Sequence, residues 1–148
     1  NKSDSITDIV RNINMTNEAI LCLYANTTVP FHLTILDDST DTITPSYFTQ
    51  LQEEKKNITF IHSDTPYKCG NQYLNIGLSK SRNRFVASIT NSLRVEPEWE
   101  IVGIQLMRQN PRIGVIGFKS LFPPEVIGVL GEQSKVQGWD FVLTYLLI

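Results

Sequence analysis

The chain has 148 residues, an ordinary globular composition with 41% hydrophobic residues, and a formal net charge of −2 at pH 7. This length is enough for one domain with a buried core, so no disulfide framework is needed for stability. The charge provides no basic surface that would collect phosphate backbones, which argues against nucleic-acid binding. The two cysteines, Cys22 and Cys69, are too far apart for a CxxC metal or redox motif.

The longest apolar stretch, residues 141–148, is too short to cross a bilayer, and no charged leader precedes an apolar segment at the start. We therefore expect no transmembrane segment and a soluble, cytoplasmic protein.

The first predicted element is a helix, because apolar residues recur at three- and four-residue steps: Ile6, Ile9, Val10, Ile13, Ile20, Leu21 and Tyr24. Ser3 or Asp4 is the candidate N-cap. Weak helix formers around Thr16 leave two alternatives, a single helix or two helices with a break at that residue. The segment is expected to end by Asn26, before Pro30.

A short apolar strand from about His32 to Leu36 follows, and it ends in the acidic turn Asp37-Asp38-Ser39-Thr40-Asp41. Parallel sheets place their ligand chemistry at the carboxyl ends of strands. Adjacent carboxylates followed by hydroxyls accept hydrogen bonds from a ligand or help to hold a divalent cation. The other interpretation is an acidic loop that only starts the next helix.

The remaining elements alternate, in the order helix 45–54 capped by Thr44, strand 58–62, helix 71–80, strand 84–90, helix 97–109 and strand 113–118. Residues 119–138 predict a long loop or hairpin. Residues 139–148 predict a strand, with a helix as the weaker option. Strands and helices that alternate with short joins predict a parallel sheet covered by helices on both faces.

Together these segments resemble the nucleotide-binding half of family 2 glycosyltransferases. The family's acidic strand end matches residues 37–41 with the glycine missing, and its Asn-x-Gly element matches Asn75-Ile76-Gly77. Residues 84–99 align without gaps to the family's strand, metal motif and Pro-x-Trp helix start. Asn110-Pro111 and Trp139-Asp140 match positions beside later strands, so the resemblance runs from about Glu18 to the last residue.

The resemblance implies an α/β fold, a Rossmann-like three-layer sandwich of the GT-A type with a mostly parallel sheet. Residues 1–148 would form a single nucleotide-sugar-binding domain, a fragment that lacks the C-terminal acceptor part. The implied function is transfer of a sugar from a nucleotide-diphosphate sugar to a hydroxyl of an unknown acceptor. The alternative is a catalytically inactive sugar-nucleotide-binding module or pseudoenzyme.

The implied donor-binding residues are Asp37, Asp38, Ser39, Asn75, Thr90, Asn91 and Ser92. The two aspartates would bind the base and the ribose, and Asn75 would shape the floor of the site. The other interpretation of Asn75 is a helix-start residue that satisfies backbone groups.

Thr90-Asn91-Ser92 stands where the family has the Asp-x-Asp motif that holds Mn²⁺ or Mg²⁺. Neutral side chains bind a hard cation poorly without carboxylates, so we expect weak or absent metal binding here and no certain cofactor. The catalytic residue is unknown, because the family's base follows its final strand.

Other signals in the sequence favour ordinary structural roles. His32 and His62 flank strands without a ligand partner at metal spacing. Lys68 and Arg82 are candidates for neutralising a diphosphate, with exposed loop charges as the favoured interpretation. A signalling receiver domain is disfavoured, because Thr90 stands where that fold needs its phosphoacceptor aspartate.

Overall fold

The computed structural model describes residues 5–67 and 70–118. The elements in chain order are α1 (Ile6–Asn26), β1 (Leu33–Asp37), α2 (Ile43–Glu54), β2 (Ile58–His62), α3 (Gly70–Lys80) and α4 (Trp99–Gln109). The two strands pair in parallel. The described chain is therefore a mixed α/β structure, which confirms the predicted class, and its sheet has two strands.

Helices pack on both faces of this small sheet. Neighbouring residues of a strand point to opposite faces, so Phe60 and Leu36, which are in adjacent rows of the ladder, face opposite sides. Phe48 of α2 is buried and stacks on Phe60, with ring centroids 5.8 Å apart. On the other face α3 approaches β1, where a Cβ added at Gly77 would lie 3.9 Å from Leu36. Helix α2 therefore covers one face of the sheet and α3 contacts the other, with buried Ile58 on the α2 face together with Phe60.

Helix α1 is continuous, which decides between the two alternatives at Thr16. The Thr16 hydroxyl donates to the carbonyl of Asn12 at 2.9 Å and so stays within the helix. Buried Ile13 and Ile20 lie on either side of this position, and their burial outweighs the weak local propensity. The N-cap is Ser5, whose side chain accepts from the backbone N–H of Asp8.

The strands predicted at 84–90 and 113–118 are not formed among the described residues. A strand needs a backbone partner over several residues, and in the first segment only Ala87 and Ser88 form isolated bridges. In the second segment Val115 is 73% exposed. Phe118 instead packs edge-on against Trp99 of α4, with ring centroids 5.6 Å apart. The predictions for residues 119–148 lie outside the described residues.

Helix α4 is joined to the entrance of β1 by a buried carboxylate. The Glu100 side chain is almost fully buried, and its Oε1 accepts from Thr28 N–H at 2.7 Å, the Thr28 hydroxyl at 2.9 Å and Val29 N–H at 3.2 Å. Its Oε2 has no partner among the described groups. Burial raises the pKa of Glu100, but the hydrogen bonds from Thr28, its own N–H and Val29 outweigh burial and hold the pKa below its usual value.

No helix within residues 5–67 and 70–118 combines the length and the hydropathy that a membrane crossing would need.

The role of Glu100 predicts an acid-sensitive contribution to stability. Replacing Glu100 by Ala leaves the N–H groups of Thr28 and Val29 unpaired, and we expect a loss of about 3 kcal/mol in the free energy of unfolding. Because the folded pKa is lowered, this contribution is present above the unfolded pKa and is lost as the pH falls through the folded pKa. Urea unfolding between about pH 7 and pH 3.5 measures both effects.

The matched control is Glu96→Gln, which removes a charge from an exposed side chain of the preceding segment. A stability of Glu100→Ala equal to that of this control at neutral pH would contradict the role assigned to Glu100.

Candidate functional site

The register of the sheet brings an aspartate and a histidine together at its carboxyl end. Asp37 and His62 are the last residues of β1 and β2 and lie opposite each other in the ladder. Paired residues of parallel strands share a face, and His62 Nδ1 lies 2.7 Å from Asp37 Oδ2. Because a carboxylate only accepts, Nδ1 carries the proton of this hydrogen bond and Nε2 is left for another partner.

The Asp37 carboxylate also accepts hydrogen bonds from Ser39 of its own turn. The backbone N–H of Ser39 donates to Oδ1 at 3.2 Å, and the Ser39 hydroxyl donates to Oδ2 at 2.9 Å. The side chain of Asp37 is only 13% exposed. The carboxylate therefore has a fixed orientation, and both of its oxygens are engaged by protein groups.

Asp38 turns to the opposite face and joins α3. Its Oδ2 accepts from the backbone N–H of Tyr67 at 2.9 Å, and its carboxylate also bonds the hydroxyl of Tyr73. The two tyrosine rings meet edge to face with centroids 4.3 Å apart. Burial and the neighbouring Asp38 carboxylate raise the pKa of Tyr73. Asp37 and Asp38 are thus neighbours in sequence that serve different parts of the structure.

The third aspartate of the turn caps α2. Asp41 Oδ1 accepts from the N–H groups of Ile43 at 2.8 Å and Thr44 at 2.7 Å, while the Thr44 hydroxyl donates to Oδ2. Burial raises the pKa of Asp41, and the bonds from Thr44 and Ile43 outweigh it, so the pKa lies below its usual value. The predicted cap, Thr44, is therefore wrong: it lies inside the helix, and Pro45 is the third helical residue.

An open polar depression of about 440 Å³ lies at this end of the sheet. Its lining carries hydroxyl groups, two carboxylates and one imidazole, from Ser39, Thr40, Asp41, Thr42, Pro45, Ser46, His62 and Asp64. Asp64 is fully exposed, and its Oδ1 lies 3.6 Å from His62 Nε2. None of the Lys and Arg residues within 5–67 and 70–118 belongs to this lining, so the described depression favours ligand groups that donate hydrogen bonds over anionic groups.

Asn75 is not brought to the acidic turn. It is exposed on α3, two residues from Tyr73, and two residues along an α-helix correspond to a rotation of about 200°. Tyr73 faces Asp38, so Asn75 projects from the other side of α3.

Thr90, Asn91 and Ser92 form an exposed turn that is tied to α1. The Thr90 and Ser92 hydroxyls lie 3.1 Å apart, and the Asn91 amide donates to the Thr16 hydroxyl at 3.1 Å. Arg94 fastens the same turn by donating to Glu18 Oε2 at 2.8 Å and to the carbonyl oxygens of Met15, Asn91 and Leu93.

The chemistry of this turn does not fit the divalent cation of the resembling family. All three side chains are neutral, and their polar atoms bond one another or Thr16. Within residues 5–67 and 70–118, no group of three or more His, Cys, Asp or Glu side chains could hold a metal ion. Arg82 is exposed after α3, and Lys68 lies outside the described residues.

The residue that the sequence interpretation missed is His62, which was assigned an ordinary strand-end role. The available signal was positional: if the strands at 33–37 and 58–62 are equal in length and parallel, their final residues become neighbours. Local spacing contains no such information, because 25 residues separate Asp37 from His62.

No family model matches the chain, and no curated protein and no solved structure matches it.

The capping role of Asp41 predicts a measurable loss of stability. Asp41→Ala removes the acceptor of two N–H groups in the first turn of α2, and we expect the free energy of unfolding to fall by about 1 to 2 kcal/mol. Urea unfolding followed by circular dichroism measures the change. Asp64→Ala, at a fully exposed carboxylate of the same depression, is the control. Equal stabilities of the two variants would rule out the cap.

Proposed function

We propose that this chain provides the donor site of a glycosyltransferase resembling family 2, which transfers a sugar from a nucleotide-diphosphate sugar to an acceptor hydroxyl. The observation that supports this most strongly is the open polar depression beside the acidic turn, at the carboxyl ends of two parallel strands. Ligands of open α/β sheets bind outside the carboxyl ends of the strands. The resemblance of the acidic turn to the family's strand end supplies the substrate class.

The lining of the depression suits the nucleoside part of such a donor. The N–H groups of a base and the hydroxyls of a ribose are hydrogen-bond donors, and the lining offers the acceptors Asp64, His62 and several hydroxyl oxygens. The diphosphate is assigned a place beyond the depression, because Asp41 and Asp64 would repel its charge.

In this proposal the residues of the acidic turn have different roles. Asp37 and Ser39 orient the ring of His62. Asp38 instead accepts from the backbone N–H of Tyr67 and bonds the hydroxyl of Tyr73 in α3. Only the family resemblance assigns four further residues to the donor site: Asn75, Thr90, Asn91 and Ser92.

A catalytically inactive sugar-nucleotide-binding module is the second candidate. Departure of a nucleotide diphosphate requires a cation or equivalent donors beside the leaving group. The aligned turn Thr90-Asn91-Ser92 supplies only neutral groups, which favours binding without turnover. An assay for sugar transfer to a hydroxyl acceptor separates the two candidates.

Calorimetric titration with UDP-, GDP- and dTDP-sugars tests the proposed donor site. We expect binding of at least one of these ligands, with an affinity that Mn²⁺ leaves unchanged because the metal motif is neutral. Asp37→Asn removes the charge that orients His62 and Ser39, and we expect the affinity to fall about tenfold.

The control is Glu53→Gln, which removes the same charge from an exposed residue near the opposite end of α2. The proposal fails if no sugar nucleotide binds at millimolar concentration, or if Asp37→Asn and Glu53→Gln bind with the same affinity.

A further inference from the structure

We propose that His62 is a specificity-determining residue of the depression, whose unprotonated Nε2 accepts a hydrogen bond from an N–H or O–H group of a nucleoside. This inference rests on the proposed donor site and names the side chain that recognises the nucleoside there. The family resemblance assigned no role to His62.

The imidazole of His62 is oriented before any ligand arrives. Asp37 Oδ2 binds its Nδ1 at 2.7 Å, and the Ser39 hydroxyl binds the same carboxylate oxygen at 2.9 Å. The ring lies nearly parallel to that of Phe60, with an interplanar angle of 21° and centroids 6.4 Å apart. The side chain is 25% exposed, so the ring is held on one edge and open on the other.

The open edge of His62 belongs to the lining of the depression. With the Nδ1 proton used by Asp37, neutral His62 offers Nε2 as an acceptor. Two carboxylates lie near the ring, Asp37 at the end of β1 and Asp64 after β2, and Asp41 before α2 is a further carboxylate of the same lining. Asp37 and Asp41 already accept bonds from protein groups.

Because hydrogen-bond acceptors predominate at this edge of the depression, the edge selects a ligand group that donates a hydrogen bond. The edge of a base bearing an N–H group, or a ribose hydroxyl, satisfies Nε2 directly. Asp64 at 3.6 Å is fully exposed and free to rotate away, so it does not prevent such a contact. An ionised phosphate oxygen has no proton to donate to Nε2, and the nearby carboxylates repel its negative charge.

Protonation of His62 reverses the chemistry of this edge. Nε2 then carries a proton, the imidazolium is attracted to Asp37 and Asp64, and the ligand's donor loses its acceptor. Nucleoside binding therefore competes with protonation of His62, and a nucleoside that binds protonated His62 must displace that proton.

Calorimetry with neutral nucleosides, namely uridine, guanosine and thymidine, tests this inference at about pH 8 and about pH 5.5. We expect at least one nucleoside to bind about tenfold more weakly at the lower pH. At the lower pH, buffers with different ionisation enthalpies should report proton release on binding.

His62→Asn is the sharpest variant. The Asn amide replaces the Nδ1–H group toward Asp37 but provides nothing at the position of Nε2, so we expect nucleoside affinity to fall about tenfold and its pH dependence to disappear. His62→Gln extends its amide toward the Nε2 position and should restore part of the affinity. His32→Asn is the control, because His32 binds Thr59 and lies outside the lining of the depression.

A direct readout in the wild-type chain accompanies the variants. The ¹⁵N signals of the His62 ring should shift when a nucleoside that binds in the calorimetric test is added. The ¹⁵N signals of the His32 ring should not shift. This measurement applies even if a substitution at His62 prevents folding.

The outcomes separate this inference from the proposed function. If sugar nucleotides and nucleosides bind His62→Asn as they bind the wild type, the role of His62 is wrong and the donor site stands. Stronger nucleoside binding at pH 5.5 would also overturn the role, because Nε2 would then be a donor. If neither nucleosides nor sugar nucleotides bind at millimolar concentration, both proposals fail.

Discussion

The hydrogen bond between Asp37 and His62 depends on the register of one parallel ladder, and it connects the fold to the candidate site. Both residues end their strands, and they are ladder partners on a shared face. A slip of one residue would move every side chain of a strand to the opposite face and break this pairing. Phe60 precedes His62 by two positions and lies on the same face, so the packing of Phe48 on Phe60 fixes the face of β2 that carries His62.

The acidic turn acts as a junction between elements. Asp37 binds His62 of β2, Asp38 binds α3 and the segment before it, and Asp41 caps α2. Alternation along the strand separates the two adjacent carboxylates, since each residue points away from its neighbour. Most acceptor sites of these aspartates are therefore used within the protein, so ligand recognition falls to the open edge of His62 and to the hydroxyl groups of the depression.

Local sequence patterns predicted the element types well where a segment could be stabilised by its own neighbours. Strand 58–62 and the helix near 71–80 formed where they were predicted, and the helix predicted to open at Pro97 begins two residues later, at Trp99. The strand predicted at 84–90 did not form because strand formation depends on a distant backbone partner, which local β propensity does not supply. For the same reason, local patterns did not predict the pairing of His62 with Asp37 or the bond between Glu100 and Thr28. Both contacts join distant parts of the chain.

The protonation state of the His62 ring tests the central claim most directly. Long-range ¹H–¹⁵N NMR of the imidazole at about pH 8 distinguishes the tautomer with the proton on Nδ1 from the tautomer with the proton on Nε2. We predict the Nδ1–H tautomer for His62 and its loss in Asp37→Asn. A ring with the proton on Nε2, or a mixture that Asp37→Asn leaves unchanged, would contradict the pairing of Asp37 with His62 at the end of the sheet.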